Sequence, residues 1–431
     1  MPRNAVVAQS GGPSPVINAS LQGVIEACRD FPEHIDRVFG GRHGIEGVLR
    51  EELIDLSRED PAEVARLKHT PSAGTIGTCR YKLRPEQQED FQRIIDVFRA
   101  HDVGYFFYIG GNDSMDTARK VADLAAAEDV PLTVVGVPKT IDNDVGDQEL
   151  SLLDHTPGYG SAARYWAYIT QLLDQETRGM SPSEPVMVAQ AMGRTAGFIP
   201  AAARLADPQR EMPLQLYLAE SSHDLESLGE NVKRELSHSG RCIVIVSEGF
   251  HVGSLGEKHD PFGHIEYGAS RNTVAQKVVN HLNDLDLPVR GQASGQVPGV
   301  LQRSTSIFAS SVDIEEAYEV ARHAVELGAQ GTSGVMATIR RAGGNGTGAA
   351  YRAVYDAMPL ETVANSHRAL PASWLSADQL DVTDDFIRYA APLIGTEWPS
   401  VELENGIQRF ARFKNVLREA KLPAYVPQNH R

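Results

Sequence analysis

Short apolar runs rich in Val and Ile alternate with stretches of helical length, and this alternation constrains the fold more than any other feature. Residues 4–9 are predicted to form the first strand and residues 15–28 the first helix, with Ser14 as its N-cap. Strands connected through helices and buried on both faces form mainly parallel sheets covered by helices. The sequence therefore predicts an α/β protein. Further strands are predicted at 105–109, 132–137, 186–190, 242–247 and 336–340.

Length and composition favour two domains, because 431 residues with 42% hydrophobic and 23% charged residues can bury more than one core. The chain has 41 Lys+Arg against 57 Asp+Glu, and this net charge of −16 disfavours nucleic acid and anionic membranes as partners. The three cysteines show no CxxC spacing, and no signal core or membrane-spanning apolar run is present in the sequence. We therefore expect a cytoplasmic protein.

Polar motifs follow four of the predicted strands. Ligands of parallel α/β sheets gather at the carboxyl ends of the strands, so we expect these motifs to form one site. A Gly-Gly pair between a strand and a helix lets the backbone approach an anion, although a single pair is also typical of a tight turn. The motifs are SGGPSPVIN at 10–18, GGNDS at 110–114, PKTIDND at 138–144 and MGR at 192–194.

The PKTIDND motif carries the strongest indication of chemistry. Asp142 and Asp144 place two carboxylates at a strand end, where they cost stability unless a cation or a ligand compensates them. Lys139 is the nearest cation in the motif. The alternative interpretation is a solvated loop with a local ion pair, which contributes little to stability.

Taken together, the motifs resemble the phosphofructokinase family over residues 4–340. The resemblance implies two Rossmann-like, three-layer α/β/α domains with mainly parallel sheets and an active site in the cleft between them. It implies a donor-binding domain at 1–150, completed by part of 255–310, and a sugar-phosphate domain at 151–340. Residues 341–431 are then an extension that packs on the core or at a subunit contact. The motifs that carry the resemblance are GGPSPVIN, AGTIGTCR, GGNDS, PKTIDND, TPGYGSA, MGR, SEG and LQRS.

The family resemblance also implies a reaction, the transfer of a phosphoryl group to the 1-hydroxyl of fructose 6-phosphate in glycolysis or gluconeogenesis. Asp142 is then the base that accepts the hydroxyl proton, and positioning and charge neutralisation matter more than a strongly activated nucleophile. Arg80 and Arg194 meet the transferring phosphoryl group. The implied donor-binding residues are Gly11, Gly12, Arg80 and Lys139. The implied acceptor-binding residues are Thr140, Ile141, Asp142, Met192, Gly193, Arg194, Glu248 and Arg303.

Asp113 and Lys139 decide the predicted donor. ATP-using relatives have glycine at both positions, and a carboxylate about 4 Å from the α-phosphate of ATP would cost about 4 kcal/mol at an effective dielectric near 20. Lys139 could neutralise the leaving phosphate of a small donor. The pair is similar to that of diphosphate-dependent family members, so diphosphate is the predicted donor. The structural alternative is that Asp113 only caps the following helix and Lys139 only pairs with Asp142.

Mg²⁺ is the expected cofactor, since it bridges donor phosphates, but Asn112 stands where much of the family has a metal-binding aspartate. An amide is the weaker ligand, so Asp113 or a water could substitute. Two further departures are Pro185 and Val300, which replace residues associated with the sugar phosphate in relatives, and Arg290 is an alternative phosphate ligand. Four histidines fall in no metal spacing and are interpreted as ordinary polar or packed residues. They are His155, His251, His264 and His281.

Two other functions stay open at this point. An ATP-dependent phosphofructokinase would use ATP and not diphosphate. A non-catalytic, sugar-phosphate-binding regulatory subunit would keep the fold and lose the chemistry; Asn112 favours it, whereas the intact Asp142, Lys139, Arg80 and Arg194 oppose it. The expected partners are small-molecule substrates, and the expected assembly is a homodimer or homotetramer.

Overall fold

The computed structural model of the protein describes residues 1–256, 258, 265, 267, 270–342, 351–364 and 366–431. Strands alternate with helices through most of this part, so the predicted α/β class is confirmed. The strands are β1 (Arg3–Ser10), β2 (Ile35–Gly41), β3 (Leu53–Asp55), β4 (Thr78–Cys79), β5 (Val103–Gly110), β6 (Thr133–Pro138), β7 (Val186–Ala191), β8 (Leu214–Tyr217), β9 (Cys242–Ser247), β10 (Ala293–Gln296), β11 (Val335–Arg341), β12 (Ala353–Pro359), β13 (Leu403–Glu404) and β14 (Ile407–Gln408). The helices are α1 (Ile17–Asp30), α2 (Ile45–Leu49), α3 (Pro61–Arg66), α4 (Gln88–Ala100), α5 (Asn112–Ala127), α6 (Tyr159–Met180), α7 (Phe198–Ala201), α8 (Leu225–Ser239), α9 (Val274–Asp284), α10 (Ser311–Ala329), α11 (Leu360–Val363) and α12 (Asp384–Ala390).

The strands form two main sheets. The large sheet has the order β12-β11-β6-β5-β1-β2-β3, and β4 pairs with the carboxyl end of β1. Its central pairs are parallel, whereas β3 and β12 run antiparallel to their neighbours at the two edges. The small sheet has the order β10-β7-β9-β8, and all of its pairs are parallel. The prediction of mainly parallel sheets is therefore confirmed.

Side-chain alternation along the strands explains why helices cover both faces of each sheet. On β1, Ala5 and Val7 pack with residues of α1 and α10, whereas Val6 and Ala8 pack with residues of α4 and α5. The small sheet is covered by α6 on one face and by α8 and α9 on the other. Each sheet is therefore the middle layer of three. No helix in the described part of the chain combines the length and apolar composition that a membrane crossing needs.

Residues late in the chain contribute to both sheets and their cores. β11 and β12 complete the large sheet, and α12 buries Phe386 and Tyr389 in the core beneath the small sheet. The Val416 carbonyl accepts a hydrogen bond from the N–H of Asp55 in β3. The domain boundaries at residues 150 and 340 stay a prediction.

Ser14 does not cap α1, so this detail of the sequence analysis is wrong. The helix begins at Ile17, and its N-cap residue, Val16, makes no side-chain cap bond. The Ser14 hydroxyl instead accepts a hydrogen bond from the Val16 N–H at 3.4 Å. The hydroxyl therefore stabilises the turn before the helix rather than the helix itself.

Candidate active site

The motifs meet in one cleft of about 690 Å³. The carboxyl ends of β1, β5 and β6 supply one wall, and the loops that follow β7 and β9 supply the other. Every predicted site residue lines this cleft except Gly193, whose N–H bonds to the lining residue Glu248. The lining residues are Gly11, Gly12, Pro13, Arg80, Gly111, Asn112, Asp113, Ser114, Lys139, Thr140, Ile141, Asp142, Asp144, Met192, Arg194, Glu248 and Arg303.

Asp142 is buried at the base of the cleft. Its Oδ2 lies 3.6 Å from Nε of Arg194, and its backbone N–H donates to Oγ1 of Thr140 at 3.1 Å. Burial and the neighbouring carboxylate of Asp144 raise the pKa of Asp142 to about 6, although Arg194 and Lys139 favour its charged form. A carboxylate in this environment can accept a proton at neutral pH from a hydroxyl that enters the cleft.

Lys139 places an ammonium group against the glycine turn that follows β1. Its Nζ donates to the carbonyl of Gly12 at 2.7 Å, and only 5% of the residue is exposed. Burial and the nearby guanidinium of Arg303 lower the pKa of Lys139 to about 7. An anion bound in the cleft would favour the charged lysine, so ligand binding and protonation of Lys139 are coupled.

The glycine turn is required by the close approach of cations. Gly11 has φ +76°, and a Cβ there would lie 3.4 Å from Nζ of Lys139. A Cβ at Gly12 would lie 2.5 Å from Nη1 of Arg303. Position 12 therefore needs glycine if Arg303 is to keep its place, and position 11 favours glycine because of its positive φ.

Arginine side chains add further positive charge at the same place. Burial, and then the charge of Arg80, lower the pKa of Arg303. The Nε atom of Arg303 is buried and has no hydrogen-bond acceptor within the described residues. Because Lys139 and Arg194 are also close to Arg303, this part of the cleft is suited to bind phosphate groups.

Glu248 fixes the MGR turn after β7. Its Oε1 accepts the N–H groups of Gly193 at 3.3 Å and Arg194 at 3.0 Å. Gly193 has φ +129° and Arg194 has φ +52°. The positive φ strains Arg194, which is not a glycine, and the hydrogen bonds to Glu248 offset this strain. A Cβ at Gly249 would lie 2.0 Å from the Arg194 carbonyl, so the glycine of SEG is needed for this approach. Burial and the charge of Asp142 raise the pKa of Glu248 to about 7.

Asp113 lies in the first turn of α5, where the helix dipole favours negative charge. Its Oδ1 forms an ion pair with Nζ of Lys82 at 2.8 Å. The N-cap of α5 is Gly111 and has no side-chain cap bond, so the alternative that Asp113 only caps the helix is wrong. Lys82 partly neutralises the charge of Asp113. The Asp113 carboxylate therefore repels a phosphate less than the sequence alone indicated.

Asn112 uses both ends of its amide within the protein. Its Nδ2 donates to the Ser366 carbonyl at 2.8 Å, and its Oδ1 accepts the N–H of Asp113 at 2.9 Å. Within the described residues, no three His, Cys, Asp or Glu side chains are grouped so as to hold a metal ion. In this structure the Asn112 side chain therefore links the start of α5 to Ser366.

Comparison with known proteins agrees with this geometry. A family model described as phosphofructokinase matches residues 4–327. The chain belongs to the phosphofructokinase family. A pyrophosphate–fructose 6-phosphate 1-phosphotransferase of Halomonas elongata is 38% identical over 98% of this chain and 99% of its own length.

Solved structures give the same family. The pyrophosphate-dependent phosphofructokinase of Nitrosospira multiformis matches with a TM-score of 0.87 and 37% identity, over 98% of this chain and 100% of that one. The enzyme of the same description from Marinobacter aquaeolei matches with a TM-score of 0.86 and 36% identity, over 98% and 99%. The resemblance to the phosphofructokinase family is therefore confirmed over nearly the whole chain.

A second cavity of about 980 Å³ adjoins the phosphofructokinase cleft and shares Arg80, Arg194 and Arg303 with it. Val300 lines this cavity. Arg290 is exposed and is not among the lining residues of either space. Pro185 precedes β7 and lies at the opposite end of that strand from MGR.

His155 is a buried member of an ion-pair network rather than a site residue. Its ring nitrogens contact Oδ2 of Asp154 at 2.8 Å and Oε2 of Glu316 at 2.7 Å. Burial disfavours the charged ring, but the two carboxylates outweigh this and raise the pKa of His155 to about 9. His264 lies outside the described residues.

Two contributors to the site were not predicted from the sequence. Lys82 follows Arg80 by two residues, and a lysine next to GTCR was the available signal. Residues 366–370 reach the cleft loops from the C-terminal extension, and nothing in their composition indicated this. Contacts between residues so far apart in the chain are set by the tertiary fold alone.

Proposed function

We propose that this phosphofructokinase reversibly transfers a phosphoryl group from diphosphate to the 1-hydroxyl of fructose 6-phosphate, giving fructose 1,6-bisphosphate and phosphate. The observation that carries the proposal is the buried ammonium of Lys139, held against Gly12 in the cleft that Asp142 and Asp113 also line. The names of full-length relatives at 38% identity support the same donor. A charged lysine in a glycine-lined recess is suited to a small, highly charged donor.

In this proposal Asp142 accepts the proton of the 1-hydroxyl as the phosphoryl group arrives. The guanidinium of Arg194, 3.6 Å from Asp142, is placed to meet both the hydroxyl and the transferring group. Arg80 and Lys139 neutralise donor charge, with the backbone of Gly11 and Gly12 against the donor. The acceptor is held by Thr140, Ile141, Met192, Gly193, Glu248 and Arg303.

We propose Mg²⁺ as the cofactor, bound chiefly through diphosphate oxygens and water. Mg²⁺ takes one or two protein carboxylates where a substrate phosphate supplies other ligands, and Asp113 offers a carboxylate that lines the cleft. Asn112 fits less well, because its amide oxygen already accepts a backbone N–H. The ion would supply neutralisation of the diphosphate charge.

The first prediction tests the donor. Purified protein with fructose 6-phosphate and Mg²⁺ is expected to form fructose 1,6-bisphosphate with diphosphate and not with ATP, as measured by an aldolase-coupled assay. The reverse reaction, with fructose 1,6-bisphosphate and phosphate, is expected to release diphosphate. Activity with ATP alone would establish the ATP-dependent alternative, and absence of activity with both donors would support the regulatory subunit.

The second prediction concerns pH. Diphosphate must meet a charged Lys139, whose pKa is lowered to about 7, and Asp142, whose pKa is raised to about 6, must be ionised. Hence kcat/KM for diphosphate should fall above about pH 7 as Lys139 loses its proton, and below about pH 6 as Asp142 gains one.

Lys139→Arg is the control for this pH profile, because a guanidinium stays charged throughout the range. The basic limb should disappear in this variant while the acidic limb remains. A basic limb that arises from titration of diphosphate itself would persist in Lys139→Arg, and that result would contradict the role assigned to Lys139.

We also propose that the protein is a cytoplasmic homodimer or homotetramer. The free Cys28, Cys79 and Cys242 are consistent with a reducing compartment. Val300, which lines the second cavity, is an exposed apolar residue, as are Leu301 and Ile307, and exposed apolar residues are common at subunit contacts.

A further inference from the structure

Residues 366–370, which we call the linking segment, contact three of the loops that form the cleft. The Ser366 carbonyl accepts from Nδ2 of Asn112 at 2.8 Å, and its hydroxyl accepts from the N–H of Gly146 at 3.3 Å. Nε2 of His367 lies 3.0 Å from Oγ1 of Thr195, in the loop after MGR. The segment therefore joins the start of α5, just after β5, to the loops after β6 and β7.

Arg368 is the buried centre of the linking segment, with no exposed surface. Its Nε donates to the Asn143 carbonyl at 3.0 Å and its Nη2 to Oδ1 of Asn143 at 2.6 Å. Its Nη1 donates to the Leu153 carbonyl at 2.6 Å, and its backbone N–H donates to the Asp144 carbonyl at 2.8 Å. Arg368 thus holds the two residues that follow Asp142 by three hydrogen bonds, and a fourth ties them to Leu153.

Asn143 is held from its other sides as well. Its Nδ2 donates to the Tyr389 hydroxyl at 2.9 Å, and its Oδ1 accepts the N–H of Thr156 at 3.1 Å. Its backbone has φ +57°, a left-handed conformation that asparagine adopts more readily than other residues with a side chain and that these contacts hold in place. The path of the chain through Asp142 and Asp144 therefore depends on this set of contacts.

Packing alone does not account for a buried arginine at this place. Burying a cation costs several kcal/mol before it is compensated, and all the acceptors named above for the Arg368 guanidinium are neutral oxygens. The planar guanidinium bonds two oxygens of Asn143 and one of Leu153 through three separate nitrogens, whereas a lysine would have to reach all three oxygens from one nitrogen. The Arg368 side chain therefore fixes the geometry of the loop that follows Asp142.

We propose that Arg368 is a positioning residue that acts through Asn143 to hold the carboxylate of Asp142 in line with the acceptor hydroxyl. The C-terminal extension thereby takes part in the reaction without touching the substrate. This inference rests on the proposed function for its kinetic part. Its structural part, that Arg368 orders residues 140–147, can be tested without any activity.

The test compares Arg368→Lys with Arg164→Lys in the full-length protein. Arg164 is a matched control, since it is also buried and also donates to backbone carbonyls, those of Ile394 and Gly395. Arg368→Lys is expected to lower kcat by about 10- to 100-fold, because a displacement of about 1 Å in a reacting group costs about 100-fold in rate. KM for diphosphate should change little, since Lys139 and Arg80 lie outside the displaced loop, whereas KM for fructose 6-phosphate should rise where Thr140 and Ile141 are displaced with it.

A second variant, Asn143→Gly, removes the side chain that Arg368 holds and tolerates the positive φ. Asn143→Gly is expected to give the same loss of kcat as Arg368→Lys. If Arg368→Lys fails to fold, Asn143→Gly alone tests whether the contact between these two residues positions Asp142. In an Asp142→Asn background, Arg368→Lys should add no further loss, because the group that it positions has already been removed. Additive losses, a kcat equal to that of the parent protein, or equal losses in Arg164→Lys would overturn the proposal.

Hydrogen exchange of the ligand-free proteins separates this inference from the proposed function. Peptides that cover residues 140–147 should exchange faster in Arg368→Lys than in the parent protein or in Arg164→Lys. If the parent protein lacks diphosphate activity, the proposed function fails, and the exchange result alone then decides whether Arg368 orders the loop. Unchanged exchange in Arg368→Lys would overturn that ordering role.

Discussion

Asp142→Asn is expected to lower kcat of the diphosphate-dependent reaction by about 10²- to 10⁴-fold, the contribution typical of a general base. The substitution keeps the size of the side chain and removes its ability to accept a proton. KM for diphosphate should change less than kcat, because the donor is proposed to meet Lys139 and Arg80 rather than Asp142. The measurement is steady-state kinetics in both directions, with circular dichroism to verify the fold.

Asp123→Asn is the control for this variant, since Asp123 is an exposed carboxylate on α5 that lies outside the cleft. It should behave like the parent protein. If Asp142→Asn kept full turnover, Asp142 would not be the base and the mechanism proposed above would be wrong. A parent protein without any turnover would instead indicate the regulatory subunit.

The double variant Asp113→Gly with Lys139→Gly is expected to have the second large effect, on donor choice. Removal of the Lys139 cation should lower kcat/KM for diphosphate by about 10²- to 10³-fold, as for other preorganised charge-stabilising groups. Removal of Asp113 opens the space beside α5 where a longer donor would extend. We therefore expect the ratio of ATP to diphosphate activity to rise mainly through loss of diphosphate activity.

The single variants Asp113→Asn and Asp113→Gly separate charge from volume. Lys82 lies 2.8 Å from Asp113 and offsets much of its charge, so we expect the volume of the side chain to exclude ATP. In a Lys139→Gly background, Asp113→Asn should still reject ATP and Asp113→Gly should admit it. Equal ATP use by the two variants would show that charge decides, and a double variant with the parent's donor ratio would remove both residues from donor selection.

The sequence predicted the fold class and the residues that share the cleft because both depend on local patterns. Each of the motifs around Gly12, Asp113, Asp142 and Arg194 follows a parallel strand, and the carboxyl ends of such strands share one edge. Whether two motifs face each other then follows from topology. The roles given to these residues stay predictions until the variants are measured.

The contacts that tune the site could not be predicted from local patterns. Lys82 pairs with Asp113 because the chain around β4 turns its side chain towards α5, and this direction depends on tertiary packing. Arg368 contacts Asn143 from a part of the chain that the sequence analysis assigned no chemistry. A buried arginine and an exposed one look alike in a sequence, and only the positions of their acceptors distinguish them.

The order of strands in the large sheet has a consequence for how the protein is made. β6 pairs with β11 through a parallel ladder, yet the whole small sheet lies between them in the chain. During synthesis, the edge of β6 and the apolar side of α1 that packs on α10 have no partner until residues 311–341 have left the ribosome. An unpaired strand edge beside an uncovered apolar face is prone to aggregate, so nascent chains truncated before residue 311 should depend on chaperones much more than the complete chain.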